Sequence, residues 1–343
     1  MKAADFQPPL LLRNPHVQSV LASSKLRRWL SAWRAGDVET GAVEHILDCG
    51  DGVRLQGFHT AQRAMPNARG LVVLLHGWEG SVRSTYVLNT GARLLREGFD
   101  VFRLNFRDHG ETLHLNREIF HSCRIDEVVG AVREVAARFH PRALAVVGFS
   151  LGGNFALRIA LRAPDVGIPL RYALAVCPVI SPHAGLFGLE SGPWFYERYF
   201  VHKWTRSLRR KQALFPEQEL FSATELKDNL RGLTRSLVLR HTDFGTLENY
   251  LDGYSIAGDT LASLRIPATI LTAADDPVIP IADFRSLKLP PQVELDIAEH
   301  GGHCGFINDF ALRSFTSDYI AERVASHLSD DASALDERRA AAA

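Results

Sequence analysis

Cysteine is scarce. The 343-residue chain has four, Cys49, Cys123, Cys177 and Cys304, and no two stand in a C-x-x-C spacing. That excludes a disulfide framework and suits a reducing compartment. Excess charge is missing as well: 39 Lys and Arg balance 39 Asp and Glu. With no net field to recruit a polyanion, nucleic acid is not an expected partner. Long apolar runs are absent from the start of the chain, MKAADFQPPLLLRNPHVQ, where Asp5, Pro8 and Pro9 confine the hydrophobic stretch. A signal peptide needs roughly 7–15 apolar residues and a membrane span about 20, so neither is expected there. The expected location is the cytoplasm, with peripheral membrane contact left open and the oligomeric state unread. What remains is ordinary for a folded chain, 46% hydrophobic and 23% charged, against disorder or a coiled coil.

The order of patterns along the chain sets the architecture. Residues 1–42 read as an arm packing on the body, with Trp29 and Trp33 four apart among Arg27, Arg28 and Arg34. VEHILD and VRLQGF flank Cys49-Gly50-Asp51-Gly52, a hairpin signal. Short apolar runs then alternate with helical spacing: LVVLLH, VFRLNF, ALAVVGF and YALAVC before residue 180, and ATILTA and VELDI after it. Continuous apolar strands between helices predict a mostly parallel sheet covered on both faces. The body is expected over 43–179 and 263–328, with 180–262 a helical cap over the sheet. The last fifteen residues, 329–343, lack an apolar period and are expected to be frayed or disordered.

Chemistry concentrates in three places. Gly148-Phe149-Ser150-Leu151-Gly152 is weak evidence as a bare pentapeptide. Here an apolar strand, LAVVGF, enters it and a helical run, NFALRIALRA, leaves it. A serine on such a strand–turn–helix elbow stands exposed, and the helix start aims amides at a developing oxyanion. A serine hydroxyl needs a base, itself oriented by a carboxylate, and on this kind of elbow acid and histidine follow in that order. Asp276, in Asp275-Asp276-Pro277 after ATILTA, is the expected acid, with Asp275 bracing its loop. His303, between Gly301-Gly302 and Gly305, is preferred as the base over His300 at the strand exit, and Cys304 beside it is read as structural. The oxyanion donors are expected to be the amides of Leu151 and of Trp78 in His76-Gly77-Trp78-Glu79-Gly80, with His76 a buried brace.

Weaker clusters receive plainer readings. Arg107-Asp108-His109-Gly110 is read as bracing the active-site loops, and no metal site is expected. The basic run Arg206 to Lys211 is read as a solvated helix face, with anionic lipid headgroups the minority reading. Trp194, Phe195, Tyr196, Tyr199 and Phe200 are either helical core or the walls of an acyl pocket, which Phe149 would also line.

Together these residues resemble the α/β-hydrolase superfamily, and within it the YheT-like branch. That branch includes bacterial hydrolases, yeast medium-chain ester synthases/esterases and mammalian lipid hydrolases. The resemblance rests on Phe6-Gln7-Pro8-Pro9 with Leu12-Arg13-Asn14-Pro15-His16-Val17-Gln18, and on His76-Gly77-Trp78-Glu79-Gly80-Ser81 with Ser84 and Tyr86. It rests equally on Gly148 to Asn154, Ala274-Asp275-Asp276-Pro277 and Gly301 to Phe306. It departs at Trp78, where an aliphatic residue is common, and at Arg107-Asp108-His109-Gly110, where the branch often has an Arg-Gly loop. The resemblance implies an α/β-hydrolase fold and a cofactor-free serine hydrolase acting on small-molecule esters of medium-chain or lipid-like acyl groups. Alternatives with the same residues are acyl transfer to an alcohol and a non-catalytic binding protein. An occluded Ser150, or a His303 turned away from it, would favour the last.

Overall fold

The computed structural model describes residues 1–34 and 36–341, with the side chains of Lys25 and of residues 31–34 and 330–341 outside the description. Trp33 and Arg34 fall among the latter. The chain begins with two short 3-10 turns and helices α1 (Pro15–Ala22), α2 (Lys25–Arg34) and α3 (Gly36–Thr40). A hairpin follows, β1 (Ala42–Asp48) paired antiparallel with β2 (Arg54–Thr60). Then β3 (Leu71–Leu75), α4 (Thr85–Arg96), β4 (Asp100–Leu104), α5 (Ile125–Phe139), β5 (Leu144–Phe149), α6 (Leu151–Arg162) and β6 (Leu170–Val176) alternate. Helices α7 (Pro182–Ser191), α8 (Trp194–Leu214), α9 (Leu230–His241) and α10 (Leu247–Asp252) come before β7 (Ala268–Ala273). After it stand α11 (Ile281–Arg285), β8 (Val293–Ala298) and α12 (Phe315–Ala341).

The strands form one eight-stranded sheet in the order β1-β2-β4-β3-β5-β6-β7-β8, parallel from β4 to β8 and antiparallel at the hairpin edge. Every residue of β3, β5 and β7 is buried. This is what continuous apolar runs covered on both faces require. One face packs on α5 and α6 and the other on α4 and α12, in two separate apolar clusters. The fold is that of an α/β hydrolase.

Helices α7 to α10 have a core of their own. Trp204, Leu208, Phe221, Leu233, Leu237 and Leu251 are buried in it, joined by Ile119 from the body. The N-terminal arm reaches across the molecule, where Phe6 packs on Phe306 and Phe315 at ring separations of 5.5 and 5.2 Å. Helix α12 continues through the segment expected to be frayed as far as Ala341. Alanine, glutamate and arginine there favour helix without an apolar face to bury. Among the described residues no helix is long and apolar enough to cross a membrane.

Candidate active site

Ser150 stands where β5 hands over to α6. Its backbone sits at φ 53 and ψ −118, a sparsely populated region costing on the order of 1–3 kcal/mol. The turn closes because two flanking residues lack a Cβ. One added at Gly148 would lie 2.0 Å from the Gly152 carbonyl oxygen, and one at Gly152 would lie 2.4 Å from that of His76. Strand, elbow and helix thereby hold the serine hydroxyl at the carboxyl end of the sheet, partly exposed.

Two loops at that same end complete a hydrogen-bonded line. His303, between β8 and α12, places Nε2 2.9 Å from Ser150 Oγ. Its Nδ1 lies 2.9 Å from Oδ2 of Asp276, in the loop after β7. Asp276 is wholly buried, and its Oδ1 accepts the amides of Val278 and Ile279 at 2.8 and 3.0 Å. The second oxygen is left for the imidazole, and a carboxylate can only accept. In the neutral ring Nδ1 therefore carries the proton and Nε2 turns its lone pair to the serine. Burial alone pulls the imidazole down, but the Asp276 carboxylate, aided by the adjacent Cys304 sulfur, reverses this and raises His303 to about 9. Asp275 accepts the Gly302 amide at 2.9 Å and lies 3.6 Å from His300, so this second pair supports the histidine loop. Burial raises its carboxyl above the usual range, against that amide and His300.

The arm supplies partners to which the sequence reading gave no role at the site. Ser19 on α1 accepts the His303 amide at 2.9 Å while donating to the Pro15 carbonyl at 2.7 Å. Gln18 beside it is fully buried. Its amide group donates to Leu12 and Ile307 and accepts the Ile307 N–H at 2.7 Å. The one available signal was Asn14-Pro15, which caps α1: Asn14 accepts the amides of His16 and Val17, and Pro15 occupies the first turn.

The two residues whose amides are the expected oxyanion donors line one cavity with Ser150. Leu151 is the first residue of α6, one of the helix-start amides that have no carbonyl four residues back. Trp78 lies in the loop after β3, which is held by Gly77 N–H donating to Tyr86 Oη at 2.9 Å and Gly80 N–H donating to Gly77 O at 2.9 Å. Among the described residues neither amide has a protein partner. His76 braces this loop. It is fully buried, Nδ1 donates to Gly77 O at 2.7 Å, and Nε2 accepts the Phe106 amide at 3.2 Å. Burial drives its pKa well down, so it stays neutral.

A cavity of about 590 Å³ runs from Ser150 and His303 in among the cap helices. Its walls include Phe149, Phe195, Tyr196, Tyr199 and Phe200, with Leu237, Tyr250 and Leu251 from α9 and α10. Trp194 is different. It is 71% exposed, under the Arg198 guanidinium, and does not reach the cavity. As the first residue of α8 it falls on the outward side, which helical spacing alone could not decide. The Trp78 indole stacks on Phe200 at 5.3 Å and meets Trp204 edge-on at 5.2 Å, tying the loop after β3 to the cap.

The basic run on α8 is not uniformly solvated. Lys211 is buried, bonded to Asp108 Oδ1 at 2.8 Å and to the carbonyls of Leu113 and Asn116. Asp108 also accepts the Phe120 amide at 2.9 Å, so the loop after β4 anchors the cap. Neighbouring Arg107 pairs with buried Glu127 at 2.8 Å.

The model of the Alpha/beta hydrolase family matches residues 72–313, which hold the elbow, the acid loop and the histidine loop. The chain belongs to that family. It is related to the inferred esterase YheT of Escherichia coli (strain K12), 28% identical over 321 residues, covering 90% of this chain and 89% of that one. Embryogenesis-associated protein EMB8 of Picea glauca is 23% identical over 86% of this chain and 65% of its own. Among solved structures, the Pyrococcus furiosus esterase Pf2001 aligns with TM-score 0.53 at 18% identity, over 84% of this chain and 90% of that one. A serine hydrolase from Cycloclasticus zankles aligns with TM-score 0.54 at 17% identity, over 83% and 96%. These two likenesses are likenesses of fold. In this α/β hydrolase, the line Ser150–His303–Asp276 sits at the strand ends where such sheets carry their chemistry.

Proposed function

We propose that the protein is a serine hydrolase of carboxylic esters with an apolar, medium-chain or lipid-like acyl group. The carrying observation is the unbroken line from Ser150 Oγ through His303 to Asp276, two contacts of 2.9 Å each, opening on a mainly apolar cavity. His303 takes the Ser150 proton as Oγ attacks the ester carbonyl, and the amides of Leu151 and Trp78 receive the oxyanion. The imidazolium then protonates the leaving alcohol, and His303 activates water against the acyl-enzyme. Asp276 holds the tautomer and stabilises the charged ring. The cavity takes the acyl chain between Phe149, Phe195, Tyr199 and the cap leucines, a reading supported by the presence of these side chains on its lining. The esterase name of YheT supports this reading.

A fluorophosphonate probe and p-nitrophenyl esters from acetyl to palmitoyl test it. Ser150 is labelled in the wild-type chain and medium acyl lengths turn over faster than acetate. Ser150→Ala and His303→Ala each lose activity by on the order of 10⁴-fold or more while remaining folded. A folded wild-type chain that neither labels nor hydrolyses any member of the series overturns the proposal.

A further inference from the structure

The four cysteines are far apart in sequence, yet the fold joins two of them at the histidine. Cys177 directly follows β6 and Cys304 directly follows His303. The Cys304 thiol reaches the Val176 carbonyl at 3.6 Å, and the Cys177 thiol reaches the Gly302 carbonyl at 3.8 Å, so the two loops interlock through their sulfurs. Both Sγ atoms and a ring nitrogen of His303 lie within 4.8 Å of one another. Cys304 and His303 face the cavity, while Cys177 stands behind them, fully buried.

Two sulfurs and an imidazole are a donor set for a soft, tetrahedral cation. Zinc binds thiolate at about 2.3 Å and imidazole at about 2.0–2.1 Å, so a closure of roughly 1 Å or less brings all three onto one ion. Asp276 does not fill the fourth position, because both its oxygens are engaged, Oδ1 by the amides of Val278 and Ile279 and Oδ2 by His303 Nδ1. Resting on the function proposed above, we infer that Cys177, Cys304 and His303 form an inhibitory site for a soft divalent cation, Zn²⁺ or Cd²⁺, entering through the substrate cavity. Two thiols, and the imidazole where its Nε2 is protonated, lose their protons to solvent, two metal–sulfur bonds and one metal–nitrogen bond form, and no atom changes oxidation state. The ion and two thiolates sum to zero charge, which suits a buried site. Nδ1 is engaged by Asp276 Oδ2 at 2.9 Å, so the nitrogen left for the ion is Nε2, whose lone pair otherwise accepts the serine proton. Occupancy and general-base action therefore exclude each other. Because binding releases protons, affinity rises with pH.

Cd²⁺ titration of the full chain in oxygen-free, thiol-free buffer reads binding without reference to turnover. One equivalent raises an ultraviolet thiolate-to-cadmium charge-transfer band with release of protons, and Ser150→Ala gives the same band. Cys49→Ser and Cys123→Ser leave it unchanged. Cys177→Ser and Cys304→Ser each reduce it, and the double variant abolishes it. Inhibition of ester hydrolysis by Zn²⁺ or Cd²⁺, measured relative to each variant's own metal-free rate and reversed by EDTA, weakens at least 10–100-fold in Cys177→Ser. No band in the wild-type chain, or a band or inhibition undiminished in the double variant, overturns the inference. Loss of hydrolysis alone, with the band intact, strikes the proposed function and leaves the metal site standing.

Discussion

At the scale of single residues, the balance at His303 sets the pH behaviour. Burial opposes the charged ring and the 2.9 Å contact with Asp276 favours it, and the second wins, raising the ring to about 9 from its ordinary value near 6.5. A base must be neutral to accept the serine proton. The kcat/KM profile is therefore expected to rise with pH through a limb displaced to the alkaline side of ordinary histidine. Asp276→Asn removes the largest raising influence and leaves the burial. Its limb moves to lower pH even as kcat falls by on the order of 10⁴-fold. Profiles of the two proteins with the same ester decide it, and coincident limbs refute this account of the ring. The same shift has a sign in stability. The folded state holds this proton more tightly than the unfolded chain, so the contribution is complete below about pH 6.5 and lost as pH rises through about 9.

At the scale of elements, helix α1 is a part of the site that lies nearly three hundred residues before the histidine it holds. Gln18 satisfies three buried backbone groups of Leu12 and Ile307, and Ser19 next to it takes the His303 amide. Gln18→Ala leaves those groups unpaired, a loss of about 1–3 kcal/mol in urea denaturation. Because a displacement of about 1 Å at the reacting centre can cost 10²-fold, kcat falls by about tenfold or more with KM little changed. Unchanged kcat in the folded variant removes α1 from the site. This dependence marks where sequence reading stopped. The strands were legible because full burial on both faces imprints itself on consecutive residues, and the elbow because Gly148 and Gly152 answer local clashes. Asp276 and His303 were legible because each lies in the loop that follows a strand, β7 or β8. The Ser19–His303 contact, the Trp78–Phe200 stack and the burial of Lys211 were not, since each depends on a partner brought in by tertiary packing. Nor could helical period alone turn Trp194 out and Tyr199 in.

At the scale of the whole molecule, the cap has its own apolar core and is tied to the body by side-chain contacts at several loops, and among the described residues the Asp108–Lys211 pair is the most deeply buried of its ion pairs with the body. Both members are shifted against their charges by burial: the Asp108 carboxyl upward, against Lys211, and the Lys211 ammonium downward, against Asp108. Desolvation thus offsets much of the attraction, and the pair adds little net stability while making either partner costly to remove alone. Lys211→Met strands the Asp108 charge and is expected to cost about 3–5 kcal/mol. Asp108→Asn strands the ammonium and also destabilises, though the carbonyls of Leu113 and Asn116 still receive it. With both changes together neither charge remains. The double variant is expected to be more stable than the sum of the single losses by well over the ~0.5 kcal/mol within which independent sites add. Denaturant unfolding of the four proteins at neutral pH measures this coupling. Losses that simply add would mean the cap is held elsewhere, with the Trp78 stack against Phe200 and Trp204 the next contact to remove.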